Sequence, residues 1–357
     1  MHKCSTLRFL AFAVLVVAAA LLTACSGPRV LRAPYSYTAA GLAFSPDGSE
    51  LAVVYNGNND SRGILLELRE WPSLKQCWQA KIEGEIGHPM PVTFSPDGAT
   101  LAVASRDRVF LYRSEGENLG SFPLGETITV MGLSFTPKGD LAVLVSRKGQ
   151  TGLEELYLER YDLDGTPLAK PRYLVGEPEL WWRPFSPGGR FLVYVDRYDT
   201  LGWMDLVIGE AKEWDLRQTL GATEKGALRR AIWPVAVHPQ GKEVVLGLHV
   251  REAGLPMLMR FDPITRTVIE ELLPAERRDD FISDLVYSPK GDLIALQAVH
   301  SGFKETQVSL YPLSDGELQV LCRDEPGKCG GHLVAFSPDA GSLVAVRGER
   351  ILFWKIP

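Results

Sequence analysis

The chain is poor in the residues that build metal centres and disulfide scaffolds. It has five cysteines and six histidines among 357 residues, with neither a second cysteine pair nor the paired histidines that would complete a zinc-ligand set. It also lacks a basic excess, since 38 Lys and Arg face 44 Asp and Glu. A general nucleic-acid binder needs a basic face, so that class is excluded. Hydrophobic residues make up 45% of the chain, which is enough for a stable folded core.

One apolar run stands near the N-terminus. Lys3 and Arg8 precede fourteen uncharged residues, Phe9 to Leu22. A membrane-spanning helix needs about twenty such residues, whereas a signal-peptide core needs roughly 7 to 15. The run therefore predicts a signal peptide over residues 1–24.

The end of this segment, Leu22-Thr23-Ala24-Cys25, resembles the lipobox of bacterial lipoproteins. The resemblance implies cleavage before Cys25, acylation of its thiol, and a short tether over residues 25–28. Ser26 would favour the outer membrane facing the periplasm in a Gram-negative cell, and otherwise the cell surface is expected. The alternative is a short N-terminal anchor with an unrelated cysteine. Removing residues 1–24 would change the net charge from −6 to −8, because it deletes two positive charges.

Three cysteines remain beyond the tether. Export permits disulfides, and Cys322 and Cys329 lie close together in a segment that contains Gly and Pro. We therefore predict a local disulfide between these two residues, with Cys77 left as a free thiol.

A five-residue unit occurs seven times along the chain. Each copy has an aromatic residue or Val, then Ser, Thr or His, then Pro, a variable residue, and Gly or Ala. The prolines are Pro46, Pro96, Pro137, Pro187, Pro239, Pro289 and Pro338. They stand 50, 41, 50, 52, 50 and 49 residues apart, which indicates a repeat architecture.

Each unit predicts the same local structure. Pro and Gly favour a tight turn, and a nearly continuous apolar run follows, such as Leu51 to Tyr55 or Phe191 to Val195. Such runs are typical of strands buried on both faces. A third strand such as Val109 to Tyr112 and a more polar fourth, such as Leu74 to Ile82 or Thr267 to Leu273, complete the unit. Four strands per roughly 50 residues form a propeller blade.

The units Phe44-Ser45-Pro46-Asp47-Gly48 and Phe94-Ser95-Pro96-Asp97-Gly98 carry the signature in full. They resemble WD40-like propeller repeats of the TolB type, and the resemblance extends over residues 29–357. It implies an all-β fold, namely a seven-bladed β-propeller of four-stranded blades.

Closure of the ring follows from counting strands. The seventh unit has room for three strands before the chain stops. Arg29 to Arg32 stands where a fourth strand stands before every other unit. We therefore predict that Arg29 to Arg32 pairs with Ile351 to Trp354 and closes the last blade, which leaves no unpaired strand at the junction.

No motif of a known reaction centre occurs. The chain lacks a Gly-x-Ser-x-Gly elbow, a His-Glu-x-x-His pair and a phosphate-binding loop, so we predict no catalytic residue, metal site or cofactor. The segments Tyr55 to Asp60 and Asp162 to Gly165 contain oxygen ligands of the kind that Ca²⁺ takes, but such Asn, Asp and Gly clusters are typical of turns.

Arginines recur at one place in the repeat. Arg106, Arg147 and Arg197 stand ten residues after the prolines of their units, and Arg251 and Arg347 lie within two positions of the same place. These loops would open on one face of the ring, around the central channel, and could bind an anion or an acidic partner. The other interpretation is ion pairing with acids on neighbouring loops. The candidate acids are Glu85, Glu126, Glu177, Asp280 and Asp324.

Two classes of function remain open. The first is a membrane-anchored, non-enzymatic scaffold or accessory subunit with protein partners at the cell envelope and no nucleic acid. The alternative is a propeller enzyme or small-ligand binder, lactonase-like or sugar-acting, that uses the central channel. Asp, Glu, Asn and His side chains converging at the channel mouth would favour the alternative.

Overall fold

The computed structural model describes residues 29–356 apart from 58–62, 85–89, 126–127, 179–183, 199, 217–229, 251–255, 275–280, 301–304, 315, 325–332 and 348. The chain forms a ring of seven antiparallel four-stranded blades, which is a β-propeller. The predicted all-β, seven-bladed fold is therefore confirmed.

The strands are numbered in chain order, and β1 (Arg29–Arg32) precedes the first blade. Blade 1 contains β2 (Tyr37–Phe44), β3 (Glu50–Gly57), β4 (Ile64–Glu70) and β5 (Gln76–Ile82). Blade 2 contains β6 (Val92–Phe94), β7 (Thr100–Ala104), β8 (Arg108–Arg113) and β9 (Asn118–Pro123). Blade 3 contains β10 (Ile128–Phe135), β11 (Leu141–Lys148), β12 (Glu154–Tyr161) and β13 (Arg172–Gly176).

Blade 4 contains β14 (Phe191–Val195), β15 (Thr200–Asp205) and β16 (Ala211–Asp215), and a bridge between Phe185 and Leu192 marks its innermost strand. Blade 5 contains β17 (Arg230–Val237), β18 (Val244–Val250), β19 (Pro256–Asp262) and β20 (Thr267–Pro274). Blade 6 contains β21 (Phe281–Tyr287), β22 (Leu293–His300), β23 (Glu305–Pro312) and β24 (Gln319–Asp324). Blade 7 contains β25 (Leu333–Phe336), β26 (Ser342–Arg347) and β27 (Arg350–Lys355).

The N-terminal strand completes blade 7. Strand β1 pairs antiparallel with β27, with Arg29 opposite Phe353 and Arg32 opposite Arg350. The sheet order is β1-β27-β26-β25, so the first strand of the chain is the outermost strand of the last blade. The predicted closing strand, with its predicted partner, is therefore confirmed.

The core lies between the faces of neighbouring blades. Strands β7 and β14 are buried along their whole length, whereas most residues of the outermost strand β9 are exposed. This gradient matches the predicted increase in polarity from the second strand to the fourth. The fourth strand of blade 1 begins at Gln76 rather than at the predicted Leu74, because Leu74 adopts a φ of 65° in the preceding turn.

Hydrogen bonds explain why the five-residue unit recurs. The Ser45 hydroxyl donates to the Asp47 carboxylate at 2.7 Å and accepts from the Glu50 amide at 2.9 Å. Asp47 also accepts from the Ser49 amide at 3.0 Å. These bonds, the one from Ser45 above all, hold the pKa of Asp47 below its ordinary value. The serine and the aspartate therefore lock the turn that joins the first two strands of a blade.

Two of the units without this aspartate use another one. In blade 3 the Thr136 hydroxyl donates to Asp140 at 2.5 Å, and in blade 6 the Ser288 hydroxyl donates to Asp292 at 2.7 Å.

The glycine that closes the turn is required by the neighbouring blade. In blade 4 this residue, Gly189, has a φ of 68°, and a Cβ there would lie 1.9 Å from the backbone oxygen of Phe135 in blade 3. A side chain at Gly189 would therefore collide with the neighbouring blade.

Candidate partner-binding face

The ring has two faces with different loops. The turn face carries the Ser-Pro-Asp-Gly-type turns and the turns between third and fourth strands. In blade 3, for example, Phe135, Leu141 and Tyr161 align across the strands at this face. The Arg face lies opposite and carries the loops between second and third strands, with Arg106 and Arg197, while Arg147 lies near the end of β11 at this face.

Arg147 pairs within its own blade. Its guanidinium group forms an ion pair with Glu159, whose side chain is only 5% exposed, and lies 4.6 Å from the centre of the Tyr157 ring. Glu159 also accepts the hydroxyl of Tyr161. Burial raises the pKa of this tyrosine, while Arg147 acts to lower it. Arg147 therefore compensates a buried carboxylate.

Arg197 makes an ion pair between blades. Its guanidinium group contacts Glu177, which lies in the connection between blades 3 and 4, and donates to the Tyr198 hydroxyl at 2.9 Å. Tyr198 in turn donates to Glu177 at 2.9 Å. Glu177 is one of the acids named above as candidate partners. The Arg197 side chain is still 52% exposed, so it can make further contacts.

The structure describes the three remaining arginines, Arg106, Arg251 and Arg347, to different extents. Arg106 lies exposed in the turn between β7 and β8. Arg347 ends β26 opposite Arg350, and Arg251 lies outside the described residues. An anion site on the Arg face therefore stays a prediction, and Arg106 and Arg197 are its exposed described members.

Buried clusters of Glu, Tyr and Arg are a feature that the sequence reasoning missed. In blade 1, buried Glu67 accepts from the Tyr55 hydroxyl at 3.1 Å and from Arg69 at 2.8 Å. Burial raises the pKa of Tyr55, which keeps its hydroxyl protonated and able to donate. The sequence signal that could have indicated this cluster is Glu67 itself, a glutamate within the largely apolar strand β4.

The largest cluster joins blade 5 to blade 6. The Tyr287 hydroxyl donates to Glu243 at 2.8 Å, and Arg260 donates to Glu243 and to Glu270, each at 2.9 Å. Tyr311 completes the cluster by donating to Glu270 at 3.2 Å. Burial, reinforced by Glu243, raises the pKa of Tyr287 well above its ordinary value. The cluster links two strands of blade 5 to two strands of blade 6.

His238 replaces the serine of the turn in blade 5. Its Nδ1 accepts the amide of Gln240 at 3.0 Å, and its ring lies 5.3 Å from the ring of Tyr287. Burial and the neighbouring Lys242 lower its pKa below the usual 6.5, although Glu243 acts in the opposite direction. His238 is therefore a neutral, buried part of the turn.

This pKa predicts a pH-dependent stability. Below about pH 6.5 the unfolded chain takes up a proton at His238 that the folded chain resists, so the free energy of unfolding should fall as pH drops from 7 to 5. In His238→Ser, which restores the residue of five other units, the pH slope should be shallower. Urea titrations at a series of pH values would measure both slopes, and equal slopes would contradict the assignment.

The central channel contains a cavity of about 260 Å³. The inner strands of all seven blades line it, with Leu42, Met90, Met131, Phe185, Val286 and Phe336 among the apolar contributors. Tyr287 is the one ionisable side chain among the described lining residues, and it donates to Glu243. This lining offers hydrophobic contacts rather than metal ligands or a general acid and base.

The remaining predicted sites have separate outcomes. Asp162 accepts the Thr166 amide at 2.8 Å and closes an ordinary turn. Cys322, in β24, lies opposite Val308 of β23. Cys25 and Cys329 fall outside the described residues, so lipidation and the disulfide stay predictions.

The described residues contain no cluster of three His, Cys, Asp or Glu that could hold a metal, and none of their helices is long and apolar enough to span a membrane.

Neither a protein-family model nor a curated protein matches the sequence. Among solved structures, the chain is similar to the β-propeller domain of Cps50 (Swd1) from Myceliophteria thermophila, with a TM-score of 0.57 and 14% identity. The match covers 92% of this chain and 100% of that one. The fold is a WD40-like seven-bladed propeller. At this identity the likeness extends to the fold alone.

Proposed function

We propose that this protein is a membrane-anchored, non-enzymatic propeller that serves as a protein-interaction scaffold or accessory subunit in the cell envelope. The observation that carries the proposal is the closure of blade 7 by β1, the strand that directly follows the predicted lipid site. A lipid on Cys25 would thereby be fixed to the edge of a closed, rigid ring. The broad loop faces of such a ring suit the binding of proteins.

The position of β1 determines which face is available. Arg29 begins this strand on the turn face, where its guanidinium group donates to the backbone oxygen of Pro72 at 2.9 Å. Residues 26–28 separate Cys25 from the strand, and three residues reach at most about 11 Å. The turn face therefore lies near the membrane, and the Arg face is directed away from it.

The Arg face has the composition of a binding surface. Tyr35, Leu153 and Tyr198 are exposed there, and Tyr35 is 91% exposed. Together with Arg106 and Arg197 they supply tyrosine and arginine, which are enriched among the residues that dominate protein interfaces. An acidic protein surface would complement the arginines.

The cavity in the channel supports a second candidate, the binding of a small molecule. Because its described lining is largely apolar, an uncharged ligand fits it better than a charged sugar acid or a metal-bound substrate. Lactonase-like chemistry gains no support from this lining.

Partner capture tests the leading proposal. The lipidated protein would be crosslinked in native membranes and recovered with its partners. In Arg106→Glu/Arg197→Glu, recovery of the partner should fall at least tenfold, and wild-type recovery should weaken with salt. Arg147 is left unchanged, because it compensates buried Glu159.

Arg113→Glu is the matched control. Arg113 lies on the turn face and pairs with Glu117, and its side chain is 55% exposed, close to the value for Arg197. It should leave capture unchanged. Full capture by the double variant would refute the Arg-face site. A Cys25→Ser protein that still carried lipid at its N-terminus would refute the anchor.

A further inference from the structure

Exposed aliphatic side chains recur on the turn face, most of which the structure describes. On the turn face they occupy two repeated places: the tip of the turn between third and fourth strands, and the beginning of the segment that follows it. We call this set the apolar rim. Its members are Val30, Leu119, Leu163, Leu168, Ile208, Ile264, Ile269 and Val320, each between 41% and 68% exposed. Val30 takes this place in β1, the fourth strand of blade 7.

The rim follows the order of the blades. Leu119 belongs to blade 2, Leu163 to blade 3, Ile208 to blade 4, Ile264 to blade 5, Val320 to blade 6 and Val30 to blade 7. Ile208 and Ile264 are the most exposed, at 65% and 68%, and both stand at turn tips. Single exposed apolar residues are common on soluble proteins. An arc over six consecutive blades, at the same two places of the repeat, indicates a surface that is covered.

The predicted anchor lies at the end of this arc, at blade 7. Strand β1 belongs to blade 7, and Arg29 contacts Pro72 in blade 1. The lipid would therefore hold the ring at blades 7 and 1, and the rim extends from blade 7 around the same face to blade 2. Points of attachment on opposite sides of a ring define a plane, so the turn face can lie flat against a surface.

We propose that the apolar rim rests on the lipid bilayer, with its aliphatic side chains among the headgroups and the first acyl carbons. This inference builds on the proposed anchor at Cys25, which keeps the rim within reach of the bilayer. Leu and Ile side chains gain free energy at this boundary in proportion to their buried apolar area. The rim is interspersed with charges of both signs, such as Lys138 and Asp164, so attachment does not require anionic lipid.

Depth-dependent quenching tests the orientation. The full-length lipidated protein, carrying Cys77→Ser to remove the exposed thiol, would be labelled with bimane at Ile208→Cys or Ile264→Cys. Labels at Tyr35→Cys and Leu153→Cys on the Arg face are the matched controls, and the Cys77→Ser parent is the blank. In phosphatidylcholine vesicles with a doxyl-lipid quencher, the rim labels should lose at least half of their fluorescence and the Arg-face labels should lose less than a tenth.

The outcomes separate the rim from the anchor. Equal quenching on both faces, with lipid verified on Cys25 by intact mass, would overturn the rim and leave the anchor standing. Rim labels shielded from iodide in native membranes but open to it in vesicles would identify a protein as the occupant and would also overturn the inference. Absence of lipid on Cys25 would refute the anchor itself.

A second variant tests the rim with the label placed away from the turn tips. In Leu163→Ser/Ile208→Ser/Ile264→Ser, a bimane at Ile269→Cys should lose at least half of the quenching that it shows in the parent. Tyr35→Ser/Leu153→Ser is the control and should leave that quenching unchanged. Because all these side chains are exposed, neither variant should change the melting temperature.

Discussion

Deletion of residues 29–32, with the anchor segment retained, should lower the free energy of unfolding by about 4 kcal/mol or more. The deletion removes the whole ladder between β1 and β27 and the Leu31 side chain, which packs on the cluster that includes Ile351 and Phe353. It also turns β27 into an unpaired edge, which is a site for aggregation. Urea unfolding of the two proteins, together with light scattering, would measure both effects.

Val30→Thr is the control for that experiment. Val30 is 49% exposed, and threonine keeps the strand backbone, so its free energy of unfolding should change by less than about 0.5 kcal/mol. An unchanged unfolding midpoint in the deletion variant would mean that β1 is dispensable for closure.

Glu243→Ala should destabilise the protein by about 3 to 5 kcal/mol. Its carboxylate is 5% exposed and accepts from both Arg260 and Tyr287. Removing this carboxylate leaves the largely buried guanidinium group of Arg260 with one acidic partner fewer. It also leaves the fully buried hydroxyl of Tyr287 without its acceptor. Denaturant unfolding would measure the loss.

The same arginine provides a matched comparison. Glu270 also pairs with Arg260 at 2.9 Å, but its side chain is 39% exposed. Glu270→Ala should therefore cost less than about 1 kcal/mol, because solvent screens an exposed pair. Equal losses in the two variants would contradict the assignment of the stabilisation to buried Glu243.

The repeat made the fold predictable from the sequence, because each turn is determined locally. Pro46 and Gly48 determine the backbone conformation at their own positions in the turn. Ser45 forms hydrogen bonds with Asp47 and Glu50, which lie only a few residues away. The same local logic predicted β1 as the missing strand, since its position relative to the first turn matches that of every other fourth strand. Boundaries were less predictable where a turn extended into a strand, as at Leu74.

The contacts of the arginines could not be predicted in the same way, since they depend on register. The register of β11 and β12 places Arg147 opposite Glu155, and its side chain extends along β12 to pair with Glu159. Tyr287 reaches Glu243 across a blade boundary, 44 residues away in the chain. Such pairs depend on which residues face each other after folding, and apolar periodicity gives no indication of that.

The closing strand also determines how the protein responds to force. Strand β1 begins at the turn face, at the end nearest the predicted lipid, and runs antiparallel to β27 toward the Arg face. Tension between the membrane and a partner on the Arg face would act along the axis of β1. The hydrogen bonds of an antiparallel pair lie perpendicular to the strands, so the load would be shared among all the bonds of the ladder at once. A tether attached at the other end of β1 would instead peel these bonds apart one by one. With a lipid on Cys25, the ring would thus be joined in the direction in which all these bonds resist the pull together.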